Sequence, residues 1–235
     1  MTTVDSLRTH LIDELTDLLD AETQLTDTLP KLARAATSKS LRAAFQKHLK
    51  ETRRHVARLN QALRALGEEP SSKTCEAMKG LLEEGASMMK KTAAGSLRDA
   101  VIITGAQKVE HYEMASYGTA RTYATVLGEK AVARLLAQTL KEEKAADQSL
   151  TKIAEGNINE EAAEEWHSRE TDNVLTRTAE WAGSTAGYAS RQVAKGLRAA
   201  ASTIRFPQMQ SSKGSAERGH GGGASARGRA ASKKR

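Results

Sequence analysis

The sequence predicts an all-α protein built around a bundle of four long helices. Its 235 residues are rich in Ala, Leu, Glu, Lys and Arg, which favour helices, while aromatic residues make up only 3% and prolines number three. Apolar residues recur with the 3.6-residue period of a helix through four long segments. This pattern argues against an all-β fold, and the length allows one domain of about 150 residues plus an extension.

The first two long helices are predicted to form an αα-hairpin. The first spans about residues 4–36, and Pro30 is expected to kink it or to end its regular part. Ser38 is the expected N-cap of the second helix, which continues to Leu66 and stops at Gly67.

A crossover helix and a second hairpin are predicted to follow. Residues 75–91 have the pattern of a shorter amphipathic helix that would connect the two hairpins. The third long helix is expected to open at Ser96 with a capping box completed by Asp99, and the fourth spans residues 129–154, with Gly156 beyond its end. Two hairpins joined by one long crossover are typical of ferritin-like bundles.

The chain changes in character beyond the predicted bundle, which occupies residues 1–157. Residues 158–205 are rich in small residues and are predicted to form an appended helical segment that packs on the bundle or on a second copy. Residues 206–235 form a Gly/Ser-rich, low-complexity tail that should be disordered. This tail carries six of the seven net positive charges, so the rest of the chain is nearly neutral.

Cysteine usage and hydropathy exclude several classes of protein. Cys75 is the only cysteine, which excludes an internal disulfide framework and Cys-based zinc sites. No segment approaches the roughly 18 consecutive apolar residues that span a bilayer, and the periodic, acidic start differs from a signal peptide. We therefore expect a cytoplasmic protein with no membrane partner.

Each long helix carries an acidic residue at mid-length on its predicted buried face. Glu22 lies between leucines of the first helix, and Glu51 lies between His48 and His55 on the second. The third and fourth helices each carry two carboxylates at this level. The candidate metal ligands are Glu22, Glu51, His55, Glu110, Glu113, Glu143 and Asp147.

A shared metal site would explain these acids. An isolated buried carboxylate costs several kcal/mol or becomes protonated, and Lys and Arg are nearly absent from the same helix faces. Fe or Mn ions accept carboxylate oxygen and imidazole nitrogen, and two ions bridged by shared glutamates would neutralise the acids and crosslink all four helices. A single such glutamate is more often solvent-facing, but its recurrence on four helices favours a di-nuclear Fe or Mn site.

Five segments resemble the YciE/YciF-type ferritin-like proteins, which are bacterial, stress-associated bundles distantly similar to rubrerythrin and manganese catalase. Within about residues 5–157, these segments are DELTDLLDAETQLTDTLPKLARAA, HLKETRRHVARL, CEAMKGLLEEG, AQKVEHYEMASYGTARTYA and QTLKEEKAADQSLTKIA. The resemblance implies a metal-binding bundle, often a homodimer, with Fe or Mn chemistry. It also implies that Glu22, Glu51, Glu110 and Glu143 occupy the carboxylate positions of such bundles.

The sequence departs from the general ferritin-like pattern, which places Glu-x-x-His on two helices. Here Glu51 and His55 are four residues apart, and the fourth helix offers Glu143 and Asp147 with no histidine. A site poorer in histidine leaves the identity of the metal open. Tyr117 is a candidate hydrogen-bond donor to the site, with core packing as the alternative.

Three functions follow from these patterns. The leading hypothesis is a di-metal protein of the stress response with ferroxidase, peroxidase or catalase-type chemistry. A first alternative is a bundle that binds nucleic acid weakly through the cations of its tail. A second alternative is a metal-free structural or interaction bundle whose carboxylates are protonated or hydrated.

Overall fold

The computed structural model describes residues 5–71 and 73–184, and all regular secondary structure in these ranges is helical. The elements in chain order are α1 (Leu7–Ala35), α2 (Lys39–Ala65), α3 (Glu76–Lys90), α4 (Ser96–Val126), α5 (Lys130–Ile153), a π-helical turn (Ala154–Ile158) and α6 (Asn159–Ser184). The predicted all-α class is confirmed. None of the helices in these two ranges is long and apolar enough to cross a membrane.

Two antiparallel hairpins form the bundle. Residues 36–38 join α1 to α2 and residues 127–129 join α4 to α5, and loops this short place each pair side by side. The helix α1 also packs on α4, and α2 also packs on α5, which closes the four helices around one core. The crossover helix α3 packs on α4 and α1. The predicted ferritin-like four-helix bundle with a crossover helix is thereby confirmed.

Two apolar clusters fill the bundle, one towards each end. The first core cluster consists mainly of Leu25, Leu29, Phe45, Met78, Ile102, Ile103, Val109 and Leu150. The second core cluster consists mainly of Leu11, Leu15, Leu18, Leu59, Leu63, Tyr117 and Leu136. Burial of one such leucine stabilises a fold by about 1.5–3 kcal/mol. The two clusters therefore fix the rotation of each helix, and with it the side chains at the level between them.

The capping box predicted at Ser96 is wrong. The helix α4 does begin at Ser96, but its N-cap is Gly95, whose φ of 140° suits a glycine. The buried carboxylate of Asp99 instead accepts hydrogen bonds from the backbone amides of Thr37, at 2.8 Å, and Ser38, at 2.6 Å. These amides have no partner within a helix, so the tertiary contact outweighs the local cap and ties the two hairpins together.

Two positions with helix-breaking residues stay helical. The helix α1 continues through Pro30 to Ala35, so the proline does not end it, and burial of residues on both sides outweighs the loss of one hydrogen bond. The helix α5 ends at Ile153, one residue from the predicted end, and the π-helical turn then carries the chain directly into α6. Ala154 and Ile158 of this turn are buried in the first core cluster, which holds the helical path despite the glycine.

The chain divides by its internal contacts into residues 1–176 and 177–235, and the bundle lies in the first unit. The domain boundaries expected after residues 157 and 205 stay predictions. The expected disorder of residues 206–235, and their expected binding to nucleic acid, fall outside the described residues.

Candidate metal centre

Six acidic and histidine side chains converge between the two core clusters. They are Glu22 of α1, His48 and His55 of α2, Glu110 and Glu113 of α4, and Glu143 of α5. The most exposed of the six, His48, has only 6% of its surface accessible. Apolar clusters on both sides thus keep this polar layer away from bulk solvent.

The first set of ligand atoms is the His55 group, which consists of Glu22, His55 and Glu143. Nδ1 of His55 lies 2.8 Å from Oε1 of Glu143 and 3.2 Å from Oε1 of Glu22. One donor atom from each of the three residues lies within 4.8 Å of the others. This spacing suits three ligands around one ion.

The second set is the His48 group, which consists of His48, Glu110, Glu113 and Glu143, again with one donor atom each within 4.8 Å. Nε2 of His48 lies 3.2 Å from Oε1 of Glu110 and 3.7 Å from Oε2 of Glu143. The two oxygens of Glu143 therefore face different histidines, and this carboxylate belongs to both groups. A carboxylate in this position can bridge two ions.

The polar atoms of this layer are poorly paired. In the part of the chain that the structure describes, buried atoms without a hydrogen-bond partner include Oε2 of Glu22, Oε2 of Glu110 and both oxygens of Glu113. Buried polar groups are nearly always hydrogen-bonded, and a bare buried carboxylate is strongly destabilising. Four glutamates carry four negative charges when ionised, and two divalent cations would balance them. The donor set therefore fits a pair of metal ions.

Burial and the closely spaced charges of this layer also shift the pKa values of its side chains. Burial raises the pKa of Glu113 well above its ordinary value, and nearby carboxylates raise it further. Burial lowers the pKa of His55, but Glu143 and Glu22 outweigh this effect and raise it to about 10. For His48 the carboxylate of Glu110 does the same, and the pKa rises to about 9. In the absence of metal the layer therefore holds protons that an ion would displace.

A second carboxylate fixes the orientation of His55. Its Nε2 lies 2.8 Å from Oε2 of Glu142, and Arg58 donates two hydrogen bonds to the same carboxylate, at 2.7 and 3.0 Å. Hydrogen bonds from Arg58 and His55 hold the pKa of Glu142 below its ordinary value despite partial burial. An anionic Glu142 accepts the proton of Nε2, so Nδ1, which faces Glu22 and Glu143, is the nitrogen that would bind a metal once its own proton is displaced.

Tyr117 contacts the centre directly. Its hydroxyl donates a hydrogen bond of 2.6 Å to Oε1 of Glu22, and the side chain is fully buried in the second core cluster. The two roles considered for this tyrosine, hydrogen-bond donor and core residue, are thus combined. The bond leaves Oε2 of Glu22 for another partner.

Glu51 and Asp147 lie outside both groups, so their role as ligands stays a prediction. Glu51 is half-buried and lies 3.7 Å from Nδ1 of His48, the ring nitrogen that faces away from Glu110. His48 and Lys47 lower the pKa of Glu51 to about 2. Asp147 accepts a hydrogen bond of 3.1 Å from Gln107. Glu51 therefore contacts the layer only from outside, through His48, and Asp147 pairs with Gln107.

Sequence reasoning missed His48 as a candidate ligand, and it missed Glu142 and Arg58 as the supports of His55. A signal for His48 was present, because it lies seven residues before His55, which places both on one face of α2. No comparable signal marks Glu142. Its role depends on α5 meeting α2 beside His55, which is a property of helix packing.

The sequence of this chain matches a known family and a known protein over the helical bundle. The family model described as "Domain of unknown function (DUF892)" matches residues 6–163. The curated protein YciF of Escherichia coli strain K12 is 44% identical over 163 residues, which cover 69% of this chain and 96% of YciF.

Two solved structures are similar to this chain over about two thirds of its length. The crystal structure of the E. coli stress protein YciF matches with a TM-score of 0.63 and 42% identity, over 66% of this chain and 99% of that one. A protein named YcfI from Rhodopseudomonas palustris matches with a TM-score of 0.62 and 37% identity, over 64% of this chain and 98% of that one. Both neighbours thus match nearly end to end.

Proposed function

This chain belongs to the DUF892 family of YciF-type proteins, and we propose that it binds two Fe or Mn ions in the layer between its core clusters. The observation that carries the proposal is the position of Glu143. It is fully buried, its two oxygens face different histidines, and it belongs to both ligand groups. A bridging carboxylate explains all three facts.

The donor set favours Fe or Mn over other common metals. Four carboxylates and two imidazoles offer only oxygen and nitrogen, which suit Fe and Mn, whereas Cu(I) and Fe–S clusters prefer soft thiolate ligands. Cys75 is buried elsewhere, where its Sγ lies 3.1 Å from the hydroxyl of Tyr112. The mixture of carboxylates with histidine also argues against Ca²⁺ and Mg²⁺, which prefer oxygen alone.

We propose that the centre takes part in ferroxidase, peroxidase or catalase-type chemistry during stress. A bound pair of Fe or Mn ions supplies the electrons that such reactions exchange with oxygen or peroxide. The residues of the chain have three roles in this proposal. The glutamates hold the ions, Glu142 holds the proton on Nε2 of His55, and the core clusters limit the access of water. The printed description of E. coli YciF as a stress protein supports the physiological setting.

The number of bound ions tests this proposal. We expect the full-length protein, loaded with Fe²⁺ under anaerobic conditions or with Mn²⁺, to hold close to two ions per chain by elemental analysis. Glu143→Gln should reduce this number to near zero, because it removes a charge from both groups. Glu155→Gln, at an exposed position beyond the same helix, is the matched control and should load like the parent protein.

Two outcomes would contradict the metal site. One is a parent protein that takes up neither metal after loading, and the other is a Glu143→Gln variant that loads fully. The loaded protein is then mixed with hydrogen peroxide, and peroxide consumption above that of the Glu143→Gln variant would support the redox role. The homodimer and the binding of nucleic acid by residues 206–235 stay predictions, since no contact in the described ranges bears on them.

A further inference from the structure

Three polar side chains outside the metal layer form a hydrogen-bonded network between α1, α3 and α4. The hydroxyl of Tyr112 on α4 donates a hydrogen bond of 2.9 Å to Oδ2 of Asp17 on α1. Sγ of Cys75, the N-cap of α3, lies 3.1 Å from the same hydroxyl. Because the phenol directs its one proton at Asp17, the thiol can donate to the phenol oxygen. The network thus joins the crossover helix to two helices of the bundle.

This network adjoins the metal layer. Tyr112 directly precedes Glu113, a member of the His48 group, and the Cα atoms of consecutive residues lie about 3.8 Å apart. Burial and neighbouring glutamates raise the pKa of Glu113 most, and Cys75 is close enough to raise it further. Cys75 is fully buried, and Tyr112 is half-buried. The network therefore lies beside the layer, although none of its three residues belongs to either ligand group.

The opposite end of the network reaches solvent. The side chain of Asp17 is 22% accessible, and its Oδ1 lies 3.5 Å from Nζ of Lys73. Lys73 also contacts Asp13, whose side chain is 44% accessible, at 2.9 Å. A proton received by Asp17 can therefore pass to bulk water without entering the metal layer.

A second tyrosine contacts the metal layer, but its hydroxyl has a different acceptor. Tyr117 donates to Glu22, a member of the His55 group, and its side chain is fully buried. A proton passed to Glu22 would compete with a metal for that carboxylate and would stay inside the layer. Tyr112 donates to a carboxylate outside both groups. It is therefore the tyrosine that can release its proton while the ligands stay bound.

We propose that Tyr112 supplies one electron to the metal centre after hydrogen peroxide has oxidised that centre, and that Asp17 accepts the proton. The O–H bond of Tyr112 breaks in this step. Its proton goes to Oδ2 of Asp17, its electron reduces the centre by one unit, and a neutral tyrosyl radical remains. The thiol of Cys75 helps to orient the hydroxyl towards Asp17. This inference rests on the proposed function, because the oxidant is the metal centre itself.

Trapping of the radical tests the proposal. The full-length protein, saturated with Fe²⁺ or Mn²⁺, is mixed with hydrogen peroxide and frozen rapidly. We expect electron paramagnetic resonance to show a tyrosyl radical signal, which narrows when the tyrosine rings are deuterated. Tyr112→Phe should remove the signal but retain its metal. Tyr123→Phe is the matched control, since this tyrosine lies on the same helix with its ring against His10, and it should keep the signal.

Two further measurements test the proton acceptor and the choice of tyrosine. Asp17→Asn removes the carboxylate that receives the proton, so the signal should form more slowly. Formation should also be slower in D₂O for the parent protein, a measurement that needs no variant. Tyr117→Phe, saturated with metal, should keep the signal, because its hydroxyl donates to a ligand.

Several outcomes would overturn the electron transfer. They are a signal that survives in Tyr112→Phe, a signal that Tyr117→Phe removes instead, and a metal-loaded parent protein that gives no tyrosyl signal. Equal rates of formation in Asp17→Asn and the parent protein would overturn the role of Asp17. Elemental analysis of the same samples separates this proposal from the metal site, since a parent protein without metal contradicts both and a loaded one without the radical contradicts only the electron transfer.

Discussion

The two halves of the candidate centre differ in how the protein supports them. In the His55 group, the histidine is fully buried and its outer nitrogen contacts Glu142 at 2.8 Å, with Arg58 behind that carboxylate. In the His48 group, the outer nitrogen lies 3.7 Å from Glu51, and His48 itself lines a mainly apolar cavity of about 350 Å³ to which α1, α3 and α4 also contribute. The same histidine and carboxylate ligands thus occupy one enclosed and one accessible environment.

This difference would give the two proposed ions different environments. A ligand whose orientation is fixed by a charged partner binds metal tightly, because less ordering is needed when the ion arrives. A looser ligand next to a cavity can exchange its partners when a substrate enters. We therefore expect a tight ion in the His55 group and a more exchangeable, reactive ion in the His48 group.

Removal of the metal should have the largest effect, because it acts on both groups. A ligand present at 1,000 times its Kd stabilises the folded state by about 4 kcal/mol, and each kcal/mol shifts the Tm of a domain this size by about 2–4 °C. We expect calorimetry to show a Tm lower by roughly 10 °C after chelation and dialysis. Added Mn²⁺ should restore it. An unchanged Tm would favour the metal-free structural bundle.

The supporting carboxylates should separate the two groups. Loss of a carboxylate behind a metal-bound histidine lowers metal affinity by about 10–100-fold. We expect Glu142→Gln to lower the Mn²⁺ affinity of the His55 group by this factor, as measured in a titration. Glu51→Gln is the matched variant for the His48 group. It should lower the Mn²⁺ affinity of that group by less than about tenfold, because Glu51 lies farther from His48 than Glu142 lies from His55. Equal losses in the two variants would contradict the asymmetry.

The fold and the acidic layer could be predicted because both depend on local periodicity. Each helix has one buried face, so a glutamate among leucines is recognisable from its spacing alone, as Glu22 and Glu143 show. The choice between His48 and Glu51 could not be predicted in the same way. They are three residues apart, about 60° around the helix, and the rotation of α2 against its neighbours decides which one faces the core.

Long-range pairing explains why local spacing misplaced the role of Asp99 and gave no sign of the role of Glu142. Asp99 has the spacing of a capping residue for its own helix, yet it accepts hydrogen bonds from the turn between α1 and α2. Glu142 lies beside a predicted ligand in the sequence, and only the packing of α5 on α2 brings it to His55. Interactions of this kind require helix positions that a one-dimensional pattern does not contain.

The pH dependence of metal binding should also distinguish the groups. The pKa values of His48 and His55 without metal are raised to about 9 and about 10, so at neutral pH both imidazoles hold a proton that a metal must displace. Affinity for Mn²⁺ should therefore rise with pH, by up to about tenfold per unit for each proton released. We expect the rise to level off near pH 9 for the His48 group and about one unit higher for the His55 group.

Calorimetry in two buffers with different ionisation enthalpies measures these protons directly. Release of protons into the buffer on binding, falling as the pH approaches 9, would agree with the raised pKa values. A binding enthalpy that is independent of the buffer at pH 7 would contradict them. The test needs no variant, so it cannot be confused with a folding defect.

The smallest effect should come from Tyr117, and it should be confined to the His55 group. Tyr117→Phe removes the hydroxyl that donates to Oε1 of Glu22 but keeps the ring in the second core cluster. The variant lacks this hydrogen bond both with and without metal. Metal affinity therefore changes only by the difference between the contributions of the bond to the metal-bound and metal-free states. A change of about 1 kcal/mol, or roughly fivefold in the Kd of the His55 group, is expected.

Tyr112→Phe is the matched control, since Tyr112 lies on the same helix and donates to Asp17. A loss of affinity in the His48 group, or an equal loss in Tyr112→Phe, would show that the two halves of the centre are not supported independently.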